Sequence, residues 1–241
     1  MWSFKSRRSQ GVSLEHDRET PPLTIVFMGD SITEGQYVHH SLRWTERITR
    51  QLRASLSPEF EPDALHFFNR GISGETTRQG LERFPRDVQV LAPRVMTLQF
   101  GLNDCNCWDT DRGLPRVSEA AYRANLVEMI ARSRAFGAEH IILSTNHPTL
   151  RFRRLASGQT LEERREIYNC IVREVAQECR VILCDIATAF SGLDRSELTT
   201  MLLPEPDVLH LSALGHERYA LAIVEPLLRA VGQSMKEVQN V

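Results

Sequence analysis

Five short apolar runs punctuate this chain, each continuous rather than alternating: Leu23–Met28, Ala64–Phe68, Arg94–Phe100, Glu139–Ser144 and Arg180–Cys184. A strand covered on both faces needs apolar side chains on both, so it reads as an unbroken run. Between the runs the period becomes helical. Trp44, Ile48, Leu52 and Leu56 recur every four residues. Tyr122, Leu126, Met129 and Ile130 form a second stripe, with Gly137 beyond it as a helix stop. Leu161, Tyr168, Ile171, Val172 and Val175 form a third, opened by a Thr160/Glu163 capping box. Leu214, Ile223, Val224, Leu227 and Leu228 mark a last helix starting near Ser212. Strands alternating with helices call for parallel pairing and right-handed crossovers. The expected class is therefore α/β, a three-layer α/β/α sandwich. With 241 residues and no low-complexity linker, the chain is read as a polar arm over 1–22 and a single domain over 23–241. Trp2 and Phe4 are the arm's candidate docking residues.

Charge excludes one class of partner. Lys and Arg number 29 against 31 Asp and Glu, so the basic footprint of a nucleic-acid binder is missing. No apolar stretch approaches the roughly eighteen residues of a membrane span. Met1–Pro22 lacks the apolar core of a secretory signal. The five cysteines follow no disulfide framework, and Cys170, Cys179 and Cys184 read as reduced packing residues. A cytoplasmic location is expected. The arginine-dense stretch Arg151–Arg165, interleaved with Glu162, Glu163 and Glu166, reads as a solvated helix face. Arg151, Arg153 and Arg154 leave a second reading open, contact with an acidic substrate or lipid head group.

Three long loops are expected, over Gly101–Val117, Thr145–Gln159 and Ser191–Leu209, near the face where open α/β sheets bind ligands. The first apolar run leads straight into Gly29-Asp30-Ser31-Ile32. A serine there points at that crevice, although a turn with a helix N-cap has the same composition. Asp207-Val208-Leu209-His210 lies near the other end. Ser, then Asp, then His is a known chain order of a hydrolase triad. Ser31 would be the nucleophile and His210 its general base; Asp207 would fix the imidazole tautomer. Acyl transfer also builds negative charge on a carbonyl oxygen. Gly74 and Asn103, each following a strand, would join the Ser31 N–H as a three-donor oxyanion hole. Taken singly, Gly74 also fits a turn glycine and Asn103 a cap. Among the other histidines, His39 and His40 lack a carboxylate at matching spacing. His66 and His140 read as structural, His147 as a pocket wall, and His216 as a surface residue of the last helix.

Gly29-Asp30-Ser31, Gly74 within Ile72–Thr76, Gly101-x-Asn103-Asp104 and Asp207-x-x-His210 resemble the four blocks of the SGNH (GDSL-type) hydrolase superfamily, in order, over residues 23 to about 230. The resemblance implies a flavodoxin-like sandwich with a five-stranded parallel sheet. It implies the triad Ser31, Asp207 and His210 and the donors Ser31, Gly74 and Asn103. Asp30 and Asp104 would hold loops. Gly71 rivals Gly74, which the Ser-Gly-x-Thr frame favours. The missing Gly-x-Ser-x-Gly elbow argues against the α/β-hydrolase fold. The expected activity is hydrolysis of a carboxylic ester, short in its acyl part such as an acetyl ester, through an acyl-enzyme on Ser31. A small-molecule, carbohydrate or lipid ester is the expected partner, with no cofactor and no metal. A thioesterase or O-acyltransferase could use the same residues. Two non-acyl readings are weaker. Thr33 and Gly35 could hold a phosphate or flavin at a helix start, but this leaves Asn103, Asp207 and His210 unused. Cys105-x-Cys107 with Asp109 and Asp111 offers half of a zinc set; otherwise this is a pocket-side loop with Trp108 as a wall.

Overall fold

The structure, a computed structural model, describes residues 22–56, 64–152 and 154–239. The expected arm lies outside the described residues except for Pro22. The five apolar runs form five strands: β1 (Leu23–Gly29), β2 (Leu65–Gly71), β3 (Val95–Gln99), β4 (His140–Ser144) and β5 (Ile182–Cys184). They make one sheet in the order β2-β1-β3-β4-β5, every pair parallel. β1 and β3 are the most buried, as central strands must be. The last run loses its first two residues because Arg180 takes φ 52° in the turn that closes the preceding helix.

The helices are α1 (Ser31–Glu34), α2 (Trp44–Leu56), α3 (Thr77–Asp87), α4 (Glu119–Ala135), α5 (Leu161–Glu178), α6 (Ile186–Ala189), α7 (Arg195–Met201) and α8 (Ala213–Gln239). α2 packs on α8 over one face of the sheet, while α3, α4 and α5 lie side by side over the other. The expected stripes are the buried faces of α2, α4 and α5, and the Thr160/Glu163 capping box opens α5. Trp44 anchors the first layer. Its indole Nε1 donates to the Ile32 carbonyl at 2.9 Å, and its ring stacks on Tyr219 at 4.7 Å.

Several expectations are corrected. The supposed loop Ser191–Leu209 contains α7, started by an Asp194/Glu197 capping box. α3 carries no apolar stripe because its buried face is built from Thr77, Gly80, Arg83, Phe84 and Asp87. A Cβ at Gly80 would stand 2.9 Å from both Phe100 and Met129, so only glycine lets α3 sit this close. His216 is buried, not on the surface, because α8 lays it against the start of α2, where its Nδ1 accepts from the Trp44 N–H at 3.3 Å. Arg164 and Arg165 are buried too, bonded to the Cys105 and Asn146 carbonyls, so the arginine-rich stretch is not a solvated face throughout. Cys170 is exposed rather than packed, because it falls on the outer side of α5. Among the described residues, no helix is long and apolar enough to cross a membrane.

The sheet order places a topological switch at β1. The chain moves to β2 on one side and returns to β3 on the other, which opens a crevice beyond the carboxyl ends of β1 and β3.

Candidate active site

The crevice is built from the end of β1. A Cβ on Gly29 would lie 2.2 Å from Thr33 Oγ1 and 2.6 Å from the Gln99 carbonyl, so the strand can turn into α1 only through glycine. Asp30 caps α1, its Oδ1 accepting from the Ile32 N–H at 2.9 Å. Gln99, at the end of β3, accepts from Thr33 Oγ1 at 3.0 Å and donates to Asn146 at 2.9 Å. Burial pushes the Asp30 carboxyl up to about 7. Ser31 is thus the first residue of a helix seated on a buried polar network. Its N–H is one of the donors that helix geometry leaves without an intrahelical partner.

His210 arrives from the far end of the chain. Asp207 Oδ1 accepts from the N–H groups of Leu209 at 3.0 Å and His210 at 2.7 Å. Its Oδ2 stands 2.8 Å from His210 Nδ1, and His210 Nε2 stands 2.9 Å from Ser31 Oγ. Burial works to raise the Asp207 carboxyl, but those hydrogen bonds together outweigh it and hold the group below its ordinary value. Val208, inside this turn, has φ 44°, a left-handed conformation costly for a β-branched residue. Its carbonyl is held by the Leu150 N–H at 2.9 Å.

The third group lies across the crevice. Glu34, in α1, accepts from the Ser73 N–H at 2.7 Å and also from its hydroxyl, tying the Ser73-Gly74 turn to the helix that carries Ser31. Gly74 has φ 77°, and its carbonyl accepts from Arg116 at 2.9 Å. Asn103 Nδ2 donates to the Glu75 carbonyl at 3.0 Å, which uses one of its two amide hydrogens. Asp104 accepts from the Thr77 N–H at 2.9 Å and is pushed by burial to about 6. Arg83 ties these parts together. Its guanidinium meets Glu75 at 2.5 Å and Asp87 at 2.8 Å, and donates to the Arg70 and Gly29 carbonyls.

Ser31, His210, Gly74 and Asn103 wall one cavity of about 340 Å³ with Asp207 behind His210. Gln36, Ser73, Asn106 and Arg151 complete its polar side, and Leu102 and Leu209 its apolar one. Gly71 is not on this wall. Its N–H is bonded to Asn69 Oδ1 at 2.9 Å, and a Cβ there would stand 2.1 Å from the Glu34 nitrogen.

Other candidates sit elsewhere. His147 is buried behind the wall, Nε2 to the Leu209 carbonyl at 2.8 Å, and burial lowers it to about 4. Trp108 is half-exposed beneath the Arg116 guanidinium rather than on the cavity wall. Thr33 Oγ1 is consumed by Gln99 and Gly35 closes α1, so neither offers a phosphate cradle. The Cys105 and Cys107 thiols face the carbonyls of Leu102 and Gly113. Among the described residues, no group of three His, Cys, Asp or Glu side chains could hold a metal ion. Arg154 bonds the Gly158 carbonyl, and Arg153 lies outside the described residues. Glu34, Arg83, Arg116 and Gln99 were not singled out from sequence. Only Glu34, one helical turn after Ser31, left a signal there.

The GDSL-like Lipase/Acylhydrolase family model matches residues 27–218. The uncharacterized lipoprotein YqeF of Bacillus subtilis (strain 168) is 33% identical over 50% of this chain and 47% of its own length. Esterase TesA of Pseudomonas aeruginosa is 27% identical over 52% of this chain and 55% of its own length. The chain thus spans about half the length of these two curated relatives. The acetylxylan esterase of Geobacillus stearothermophilus is 25% identical over 86% of this chain and 93% of its own length. A solved lipase/acylhydrolase from Enterococcus faecalis superposes with a TM-score of 0.67 at 25% identity, over 86% of this chain and 95% of its own. Sequence and fold agree, and the chain belongs to the GDSL-like lipase/acylhydrolase family.

Proposed function

We propose that the chain hydrolyses a carboxylic ester of short acyl length, such as an acetyl ester, through an acyl-enzyme on Ser31. The observation that carries this reading is the relay from Ser31 Oγ to His210 Nε2 at 2.9 Å and from His210 Nδ1 to Asp207 at 2.8 Å. Ser31 Oγ attacks the ester carbonyl carbon while its proton passes to His210 Nε2. The carbonyl oxygen becomes an oxyanion, met by the N–H groups of Ser31 and Gly74 and the second amide hydrogen of Asn103. Collapse expels the alcohol, which takes the proton from His210. Water, deprotonated by His210, then attacks the acyl-serine, and the second collapse breaks the bond to Ser31 Oγ, which takes the proton back from His210 as the acid is released. Asp207 keeps the Nδ1 proton in place and stabilises the imidazolium.

The cavity supports the short acyl chain. A volume of about 340 Å³ in which Gln36, Asn103, Asn106 and Arg151 face Leu102 and Leu209 suits a small acyl group on a polar alcohol. A long alkyl chain needs more apolar wall than Leu102 and Leu209 supply. The likeness to an acetylxylan esterase over 93% of that protein's length supports the same reading. The test is kcat/KM for 4-nitrophenyl esters of graded acyl length. Acetate should be cleaved fastest, and Ser31→Ala should be inert. A preference for long acyl chains would refute the short-acyl assignment, and turnover by Ser31→Ala would refute the nucleophile.

A further inference from the structure

Among the described residues that wall the cavity, Arg151 carries the only permanent charge, and no Asp or Glu shares the wall. Its Nε donates to the Asp207 carbonyl at 2.9 Å, which fixes the plane of the guanidinium. Its Nη2 stands 3.9 Å from Asp207 Oδ2, too far for a hydrogen bond. That carboxylate is already committed to two backbone N–H groups and to the His210 ring. Arg151 is therefore anchored through one nitrogen and keeps donor capacity at the cavity, with its side chain 39% exposed. A planar guanidinium held this way is suited to a two-point grip on a carboxylate. The neighbouring wall groups Gln36 and Asn106 carry amide hydrogens that can donate as well, whereas the Ser73 hydroxyl is committed to Glu34. A second cavity of about 170 Å³ shares Asn106 and Arg151, but Asp109 lies on its wall. An anion is thus favoured on the Ser31 side of Arg151.

We infer that Arg151 selects esters whose alcohol portion carries a carboxylate close to the scissile bond. The inference rests on the ester-hydrolase reading above and narrows its substrate class to acidic esters. An uncharged ester fills the same cavity but leaves the cavity-facing N–H groups of the guanidinium without a charged acceptor.

The test uses two acetyl esters matched in shape and different in charge, 3-acetoxybenzoate and 3-acetoxybenzamide, with wild type, Arg151→Gln and Arg151→Lys. Wild type should prefer the carboxylate by about tenfold in kcat/KM, the scale of one charge-assisted contact at a partly exposed site. Arg151→Gln should lower both rates, because the Asp207 tether is lost, and bring the preference close to one. Arg151→Lys should keep part of the preference, having the charge but not the fork. A wild-type ratio of one or below overturns the inference. So does a preference that survives Arg151→Gln, since Arg151 would then only position Asp207. If wild type cleaves neither ester and a fluorophosphonate leaves Ser31 unlabelled, the hydrolase reading itself fails and this inference falls with it. Labelling of Ser31 without cleavage of either ester overturns the substrate class alone.

Discussion

Ser31 and His210 come from opposite ends of the chain, and each is held by a neighbouring aspartate with a different task. Asp207 stays charged and hydrogen-bonded to His210, whereas Asp30 is fully buried beneath Ser31 with its carboxyl pushed to about 7. Replacement of Ser31 or His210 by Ala should each remove roughly six decades of kcat, since such residues act as a unit. Asp207→Asn should cost about four decades. On the proposed oxyanion role, whose contact is made in the transition state, Asn103→Ala should cost about two to three decades in kcat with KM little changed. Steady-state rates on 4-nitrophenyl acetate check all four. Asp30 yields a stability prediction. Its folded value is raised from 3.8 to about 7, so between those values the folded state keeps a proton that the unfolded chain releases. Stability must therefore fall as pH climbs through that window and level off above it. Asp30→Asn keeps the oxygen that caps Ile32 and removes the titration. Its thermal midpoint should depend less on pH than wild type between about pH 5 and about pH 8. Equal slopes would contradict a buried, protonated Asp30.

The elements near the site are tied by polar contacts where an isolated helix would need an apolar stripe. α1 is a single turn, fixed by Asp30 at its start and by Glu34 to the Ser73-Gly74 turn. α3 is pinned by Arg83, whose partners are two carboxylates and the carbonyl ends of β1 and β2. Arg83→Ala would leave the half-buried Glu75 without its cation, while Asp87 keeps Arg86, and should destabilise the fold by about 1–3 kcal/mol, measured by urea unfolding. A loss below about 1 kcal/mol would mean that these pairs contribute no more than surface ion pairs do. This also explains what could be read in advance. The strands were legible because central parallel strands must be apolar on both faces, and α2, α4 and α5 because each buries one stripe. α3 was not, because Arg83, Gly80 and Thr77 on its inner face carry no hydrophobic period. α7 was hidden for a related reason, as it buries no residue fully. His216 was misplaced because burial of a polar residue depends on the partner helix, which only the folded arrangement supplies.

At the scale of the molecule, one topological fact brings the site together. Reversal of strand order at β1 sets the loops after β1, β2 and β3 around a crevice, and the segment before α8 returns to it with Asp207 and His210. Position after a strand end or before the last helix, the Asp207-x-x-His210 spacing and the four-block resemblance together made Ser31, Gly74, Asn103, Asp207 and His210 legible. The supports Arg83, Gln99 and Arg116 were not, since they act through contacts between segments far apart in sequence. Whole-molecule acid sensitivity follows from two buried histidines. His147 and His216 are lowered by burial from 6.5 to about 4 and about 3, so both fold neutral. Their contribution is present above the unfolded value and is lost as pH falls towards the folded ones. His216→Gln should lessen the drop in thermal midpoint between about pH 6.5 and about pH 4, read as the difference from wild type. The central claim, that this convergence activates Ser31, is tested most directly by intact-mass analysis after exposure to a fluorophosphonate. Wild type should gain a single adduct, and Ser31→Ala and His210→Ala should gain none. An unlabelled wild type, or an adduct that persists in Ser31→Ala, would contradict it.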